Sequence, residues 1–254
     1  LIIQSNKDYS DLTGTLLQAS HDDLSRLKEE PLSAIIFKSK SPSCGLNSAK
    51  AYLPNGFAEG KEDGLFAALC KEHFPLLPME EEGRLNDPWL RENFIMQVFA
   101  YHDFENFKAS SPNMKELVGF HQSYKFMLQS KNELAYRKLG KLVGSHDKRN
   151  MKELFEAYEL TFKRTIGEKS SIKKTRNVLE HMAGFVKNDL SEVEKRTLHE
   201  QIEEYASKII PLITPLSTLS MFADKYDASY LLGQKFLQPY PKKLALRSDI
   251  RSGK

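Results

Sequence analysis

The sequence is poor in cysteine and contains no long apolar run. Only two of its 254 residues are cysteines, so disulfides cannot form the framework of the fold, and a reducing, cytoplasmic setting is the simpler expectation. No stretch approaches the roughly 18 apolar residues of a membrane-spanning helix, and no secretory signal is visible. These absences argue against disulfide-rich and membrane-spanning classes of protein, and we expect no membrane partner.

The chain has the composition of a folded protein. Hydrophobic residues make up 40% and aromatic residues 10% of the sequence, which is typical of a globular protein. A length of 254 residues allows one or two domains. The chain opens on Leu1 instead of methionine, and we expect that it lacks its natural N-terminus.

Charge is distributed unequally along the chain. Residues 1–108 contain 11 Lys and Arg against 17 Asp and Glu, whereas residues 109–254 contain 26 against 17. Within residues 121–176 the counts are 14 and 6. A basic half joined to an acidic half indicates two domains, the second facing a polyanion. A solvated, lysine-rich helical surface explains the composition equally well.

The first part of the chain has a βαβ pattern. The runs in "LSAIIF" (32–37) and "PLLPMEEEG" (75–83) are short and apolar, as buried strands are, and "GLFAALCKEHF" (64–74) between them has helical spacing. This order predicts a Rossmann-like α/β domain with a parallel sheet, N-terminally incomplete, at residues 1–108. We expect Asp87 and Pro88 to begin a helix near its end.

The remainder, residues 109–254, is predicted to be nearly all helical. It follows a small polar stretch, "FKASSPNM" (107–114), and we expect an all-α bundle of five or six helices. The signals for helix starts and breaks are Ser111 before Pro112, capping boxes of Ser130 with Glu133 and of Ser191 with Glu194, and the prolines Pro211 and Pro215.

One loop is the clearest candidate for chemistry. Cys44 lies in "SPSCG" (41–45), directly after the first predicted strand, and such loops form the ligand crevice of open α/β sheets. Hydrogen bonds from Ser41 and Ser43 and the charges of Lys38 and Lys40 would favour a thiolate. Cys44 is therefore a candidate nucleophile or soft-metal ligand, although an inert buried cysteine is the commoner case.

Other polar residues of the first part are better explained by structure. Cys70 lies on an apolar helical face and is expected to be structural. One of the consecutive acids at 80–82 could have a raised pKa and transfer a proton. We favour solvated carboxylates, or carboxylates paired with Arg84 and Arg91.

The basic part offers candidates for phosphate contacts. Such contacts give an affinity that falls steeply with salt and carries little sequence discrimination. We expect Tyr124 and Tyr136 to pack in the bundle instead of stacking on bases, and His121 and His181 to be core histidines. The candidate RNA-binding residues are Lys125, Arg137, Lys138, Lys141, Lys148, Arg149, Lys152, Lys173, Lys174 and Arg176.

Longer motifs carry a resemblance to known families. "KSKSPSCG", "GLFAAL" and "LLPMEEEGRLNDPWLRENF" resemble the C-terminal part of the thiouracil desulfidase family. "FHQSYKFMLQSKNELAYRKLGKLVG", "KKTRNVLEHMAGF" and "IPLITPL" are similar to the YbgA-like helical domain. The order of the two matches fusion proteins that resemble bacterial tRNA 4-thiouridine desulfidases.

The resemblance implies an iron–sulfur enzyme that converts 4-thiouridine in tRNA to uridine. Members of the family hold a [4Fe–4S] cluster by three cysteines, and the open iron takes sulfur from the base while water replaces it. Cys44 matches the last of these metal ligands, and a soft thiolate suits such a cluster. Ser41, or alternatively Ser43, matches a family serine that acts near the substrate. The helical domain would hold the tRNA, and no DNA partner is expected.

The sequence departs from the family pattern at the other two cluster cysteines, one of which belongs to a Cys-Pro-Glu motif. Neither is present, and Cys70 stands where the family has an apolar residue. We therefore expect the [4Fe–4S] cofactor in the complete protein only, and the start on Leu1 favours truncation over a degenerate family member. The alternatives are a desulfidase of free thiouracil or its nucleotides and a non-catalytic RNA-binding protein.

Overall fold

The chain divides into two compact units. The structure is a computed structural model that describes residues 2–5, 7–53, 55–144, 150–244 and 246–249. The units are residues 1–86 and 87–254, so the expected boundary at 108/109 is corrected to 86/87. The physical reason is α3 (Pro88–Ala109), which packs on α7 (Met151–Gly167) and contributes Phe104 to the helical core. The first unit is still acidic and the second basic with this boundary. Residues 1–86 contain 9 basic and 13 acidic residues, and residues 87–254 contain 28 basic and 21 acidic residues.

The first unit combines a small parallel sheet, a hairpin and two helices. The elements are α1 (Thr13–Lys28), β1 (Ile35–Phe37), β2 (Ala49–Tyr52), β3 (Ala58–Glu62), α2 (Leu65–His73) and β4 (Met79–Glu81). β1 and β4 are parallel neighbours with Phe37 opposite Glu81, which confirms the βαβ pattern. α2 packs on α1, and a small core around Leu24 and Ala67 lies between the elements.

The β2–β3 hairpin is not among the elements expected from the sequence. Its strands are antiparallel, with Ala49 opposite Glu62. Every residue of β3 is exposed, so no apolar run marks the strand. The signal that could have revealed the hairpin is the Asn55-Gly56 dipeptide, which is typical of tight hairpin turns. Gly56 has a φ of +82°, a backbone conformation that glycine adopts without strain.

The second unit is all-α, as expected. The described part of residues 109–254 contains eight helices after α3 instead of the expected five or six. Tyr124 separates two of them, α4 (Met114–Ser123) and α5 (Lys125–Lys131), which raises the count. A single aromatic-rich core joins the helices, and within it the rings of Phe104 and Phe162 stack with centroids 5.1 Å apart. Besides α3 and α7 the helices are α4 (Met114–Ser123), α5 (Lys125–Lys131), α6 (Glu133–Gly144), α8 (Ile172–Val186), α9 (Glu192–Ala206), α10 (Ile213–Lys225) and α11 (Ser229–Leu232).

Two expected helix starts are confirmed. The side chain of Asp87 accepts hydrogen bonds from the backbone N–H groups of Trp89 at 2.9 Å and Leu90 at 3.2 Å. Ser191 forms the expected capping box with Glu194 at the start of α9. In both cases a side-chain oxygen satisfies N–H groups that the first helical turn leaves unpaired. Among the described helices, none has the length and apolar character needed to cross a membrane.

The expected helix start at Ser111 and the expected break at Pro215 are both wrong. α4 is capped by Asn113, which forms a capping box with Glu116, whereas Ser111 has a left-handed φ of 52° and lies before the helix. Pro215 does not interrupt the chain, because it lies in the first turn of α10. A proline there removes no helical hydrogen bond.

The expected capping box at Ser130 is also wrong. Ser130 is buried inside α5, and its hydroxyl donates to the carbonyl oxygen of Met127 at 2.7 Å. The start of α6 is capped instead by Asn132, whose side-chain oxygen accepts from the N–H of Ala135 at 3.0 Å. Two polar residues two positions apart, Ser130 and Asn132, could each cap this helix, and the burial of Ser130 decided between them.

Candidate functional site

The loop that carries Cys44 is seated on the N-terminal end of α2. We call residues 38–48 the cysteine loop. The carbonyl oxygen of Ser43 accepts hydrogen bonds from the N–H groups of Phe66 at 2.9 Å and Ala67 at 3.2 Å, groups that a helix start leaves unpaired. A Cβ on Gly64 would lie 2.4 Å from the Ser43 carbonyl, so this close approach of loop and helix requires glycine.

Carboxylates hold the other side of the cysteine loop. Glu81 is 3% exposed and accepts hydrogen bonds from the N–H of Leu46 at 2.7 Å and from the Ser48 hydroxyl. Asp63 accepts from the N–H of Asn47 at 2.7 Å. Glu81 reaches the loop because β4 ends beside β1 in the sheet. Within the described residues Glu81 is therefore neither solvated nor ion-paired, contrary to the expectation for this acid.

The acids on either side of Glu81 are paired. Glu80 accepts from Arg84 at 2.7 Å, which confirms that expected pair. Glu82 pairs with Lys38 at 3.1 Å and accepts from the N–H of Ser39 at 2.7 Å. Burial raises the pKa of Glu82, but the Lys38 ammonium and these hydrogen bonds outweigh it and lower the pKa. The charge of Lys38 is thus directed to Glu82 instead of to Cys44.

The two cysteines differ in exposure. Cys44 is half-buried and packs against the small core, whereas Cys70 lies in that core and is fully buried. Burial, followed by the nearby Cys44 thiol, raises the pKa of Cys70 to about 11. Cys70 therefore stays protonated at neutral pH and is structural, as expected.

The serines of the cysteine loop act on its backbone. The Ser41 hydroxyl accepts hydrogen bonds from the N–H groups of Ser43 and Cys44, both at 3.2 Å. Within the described residues neither serine donates to the Cys44 sulfur. The expectation that hydrogen bonds from these hydroxyls favour a Cys44 thiolate is therefore wrong. Lys40 is exposed and has a left-handed φ of 61°. The loop therefore fixes the position of Cys44 through its main chain.

The residues present do not fit a [4Fe–4S] cluster. Such clusters are held by several cysteine thiolates, and the sequence contains two cysteines, of which Cys70 is protonated in the core. The metal-compatible group that the described residues form lies in the second unit and contains no cysteine: Glu180, His199 and Glu203. One accessible thiol, that of Cys44, cannot hold the cluster by itself.

The candidate RNA-binding residues are distributed over four helices of the second unit. α6 and α8 both pack on α5, and α6 packs on α7. Lys148 and Arg149 lie outside the described residues. The remaining candidates are Lys125 on α5, Arg137, Lys138 and Lys141 on α6, Lys152 on α7, and Lys173, Lys174 and Arg176 on α8.

Several of these cations are already engaged. Arg137 pairs with Glu133 at 3.0 Å, and Arg176 pairs with Glu203 at 2.6 Å. The ammonium of Lys174 donates to a backbone carbonyl on α5. Phosphate contacts from these three residues would have to displace existing partners. The candidates that are exposed and pair with no described residue are Lys138, Lys141, Lys152 and Lys173.

The aromatic and histidine residues are divided between core and surface. Tyr124 is buried, as expected, whereas Tyr136 is half-buried and stacks on His121 with centroids 5.4 Å apart. The Nδ1 atom of His121 lies 3.1 Å from the Tyr158 hydroxyl, and burial lowers the pKa of His121 to about 4. It is therefore a neutral structural histidine. His181 is exposed on α8, so the expectation of a core histidine there is wrong.

Comparisons with known proteins match both units. Residues 2–82 match the family model described as 2-thiouracil desulfurase, and residues 125–241 match the model described as a protein of unknown function, DUF1722. A region similar to the first model is thus followed, in the same chain, by a region similar to the second. Uncharacterized protein YbgA of Escherichia coli (strain K12) is 24% identical over 157 residues, which cover 61% of this chain and 93% of that protein. No solved structure matches significantly.

Proposed function

We propose that this chain is the thiol-bearing and RNA-binding part of a desulfidase that converts 4-thiouridine in tRNA to uridine. The observation that carries the proposal is the 2-thiouracil desulfurase match of residues 2–82, which includes Cys44 on a loop held by Glu81 and α2. The overall reaction exchanges the thiocarbonyl sulfur of the base for the oxygen of water. The carbonyl forms, hydrogen sulfide leaves, and no electrons are transferred.

The residues of the cysteine loop position the reacting group. The hydrogen bonds to Glu81 and to the start of α2 hold the backbone on both sides of Cys44, and a fixed backbone keeps a functional side chain in one geometry. Ser41 uses its oxygen to accept from two N–H groups of the loop. Ser43 forms no side-chain hydrogen bond within the described residues, so its hydroxyl is the better candidate for contact with the base.

The proposal includes a [4Fe–4S] cofactor in the complete protein only. Cys44 would supply one soft thiolate ligand. Two further thiolates are required, and these 254 residues do not contain them.

The second unit is proposed to bind tRNA through its phosphates. Its excess of basic residues and the exposed lysines of α6, α7 and α8 support this role. Contacts of this kind are sequence-independent, so recognition would depend on the shape of the folded RNA.

Two alternatives each have an observation in their favour. The matched family model is described by thiouracil, which favours a desulfidase of free thiouracil or thiouracil nucleotides. The single accessible cysteine favours a non-catalytic RNA-binding protein. Both alternatives make predictions that differ from the tRNA desulfidase.

The test uses the complete protein, reconstituted anaerobically with iron and sulfide. It is incubated with thiolated bulk tRNA and, separately, with free thiouracil, and thiouridine in the digested RNA is quantified by mass spectrometry. We expect loss of thiouridine from tRNA that Cys44→Ala abolishes and the matched control Cys70→Ala retains. Loss from free thiouracil alone would support the first alternative. If neither substrate loses sulfur and tRNA binding depends on salt, the result would support the non-catalytic RNA-binding protein.

A further inference from the structure

Two aromatic rings and one lysine form a patch on the surface of the second unit. Phe185, near the end of α8, is 47% exposed and is the exposed aromatic residue in the described part of this unit. Its ring stacks on Tyr230 of α11 with centroids 4.9 Å apart and an interplanar angle of 18°. The ammonium of Lys125 lies 5.3 Å from the Phe185 centroid and 5.9 Å from that of Tyr230. We call these three residues the aromatic–lysine patch.

The patch is supported from beneath. Phe126 is fully buried and meets Phe185 edge-on, with centroids 5.9 Å apart and planes at 90°. The Lys125 ammonium lies 5.1 Å from the same Phe126 ring. Tyr230 packs against the main core. Rings that are held in place lose little conformational entropy when a flat ligand stacks on them.

The charge of Lys125 is not neutralised within the patch. No described carboxylate lies within ion-pairing distance of its ammonium. Lys225 provides the contrast, because it also lies over an aromatic ring, that of Tyr226 at 4.8 Å, but it pairs with Glu194 at 2.7 Å. Lys125 therefore remains available to an external anion, whereas Lys225 does not.

The patch includes a residue from a strongly basic stretch of the chain. Lys125 lies within residues 121–176, which contain 14 basic and 6 acidic residues. An aromatic surface with an unneutralised cation in basic surroundings matches the two parts of an unpaired nucleotide. Its base is flat and apolar on both faces, and its phosphate is an anion.

We propose that the aromatic–lysine patch binds an unpaired nucleobase of the RNA, with the base stacked on the exposed area of Phe185 and a neighbouring phosphate on Lys125. This inference rests on the proposed tRNA substrate and deepens it, since it assigns single-stranded RNA to a particular surface of the second unit. Stacking on an aromatic side chain tolerates any base, so the patch would recognise unpaired structure and not sequence.

The test compares RNA binding by the complete protein and by Phe185→Leu, which keeps an apolar side chain and removes the ring. Fluorescence anisotropy measures the affinity for bulk tRNA, for a short single-stranded RNA and for a blunt RNA duplex. We expect the variant to bind single-stranded RNA about 5- to 100-fold more weakly and to bind the duplex as the wild type does. The matched control is Met221→Leu, a change at another exposed apolar position of the unit, 55% exposed, and it should leave all three affinities unchanged.

Two further measurements keep the outcomes distinct. Lys125→Met should reduce the salt dependence of single-stranded RNA binding by about one phosphate contact. Photocrosslinking of RNA that contains 5-iodouridine should label the peptide with Phe185. If Phe185→Leu binds single-stranded RNA with wild-type affinity and the peptide is not labelled, the patch is not a base-binding site, although the tRNA proposal stands. If the wild type binds no RNA, the tRNA proposal fails and this inference fails with it.

Discussion

Lys131 is a buried lysine whose partner is a neutral amide, and this predicts a dependence of stability on pH. Its side chain is 1% exposed at the end of α5, and its ammonium donates to the Oδ1 atom of Asn93 at 2.6 Å. Burial, partly offset by the charge of Glu92, lowers the pKa of Lys131 from an ordinary 10.5 to about 7. Between these two values the unfolded chain holds a proton on Lys131 that the folded protein has released. The perturbation that tests this is Lys131→Met, which keeps the length of the side chain and removes the titrating group.

The sign and the magnitude follow from proton linkage. Because the unfolded state binds more protons in this window, the free energy of unfolding rises with pH, and the destabilisation is fully present below pH 7. The pKa difference between 10.5 and about 7 raises the free energy of unfolding of the wild type by about 5 kcal/mol over the whole window. Between pH 6 and pH 9 the rise is about 3 kcal/mol. Lys131→Met lacks this dependence. Its stability relative to the wild type should therefore fall by about 3 kcal/mol as the pH is raised from 6 to 9.

The assay is urea unfolding of both proteins at several pH values, followed by the fluorescence of Trp89. This is the single tryptophan of the chain and lies on α3, so its signal reports on the second unit. Parallel stability curves for the wild type and Lys131→Met between pH 6 and pH 9 would refute the reasoning.

The matched control is Lys163→Met. Lys163 is also buried, 5% exposed, but its ammonium lies between the carboxylates of Glu105 and Glu159. Burial acts to lower the pKa of Lys163, but the two carboxylates outweigh it and raise the pKa above the ordinary value. A group of this kind contributes stability that is constant below the pKa of the unfolded chain and is lost only as the pH rises through the folded value. Lys163→Met should destabilise the protein by the same amount at pH 6 and at pH 9.

Three further predictions concern the cysteine loop and the helical core. Glu81→Ala leaves the N–H of Leu46 without its partner and should cost about 1–3 kcal/mol; amide hydrogen exchange at residues 46–48 should accelerate, and unchanged exchange would contradict the structural role of Glu81. A thiol reagent at neutral pH should modify Cys44 but not Cys70 in the folded protein and both cysteines in urea, so two rapidly modified thiols in the native state would refute the burial of Cys70. Phe104→Ala removes a fully buried ring from the main core and should cost about 3–5 kcal/mol; a loss below about 1 kcal/mol in thermal unfolding would contradict its place there.

Features that depend on neighbours in the chain could be predicted from the sequence. The apolar runs that became β1 and β4, the cap at Asp87 and the capping box of Ser191 with Glu194 are all formed by residues a few positions apart. Hydrogen bonds and packing of this kind are determined by local spacing. The position of Cys44 directly after a strand was predictable for the same reason.

Where two local solutions competed, the sequence was not sufficient. Ser111 and Ser130 are good capping residues, and His181 has apolar neighbours, yet none of the three has its expected role. Whether a serine caps a helix or lies buried inside one depends on which helix face meets the core, and that is settled by packing against other helices.

Contacts between distant parts of the chain were decided by the tertiary structure alone. Glu81 holds Leu46 across 35 positions because β1 and β4 pair in parallel. Lys125, Phe185 and Tyr230 meet because α5, α8 and α11 share one core. The sequence by itself determined which residues could bear a thiol, a charge or an aromatic ring, since these are properties of the side chains. Their distances, burial and pKa values were decided by folding, because each depends on groups that only the packed structure brings together.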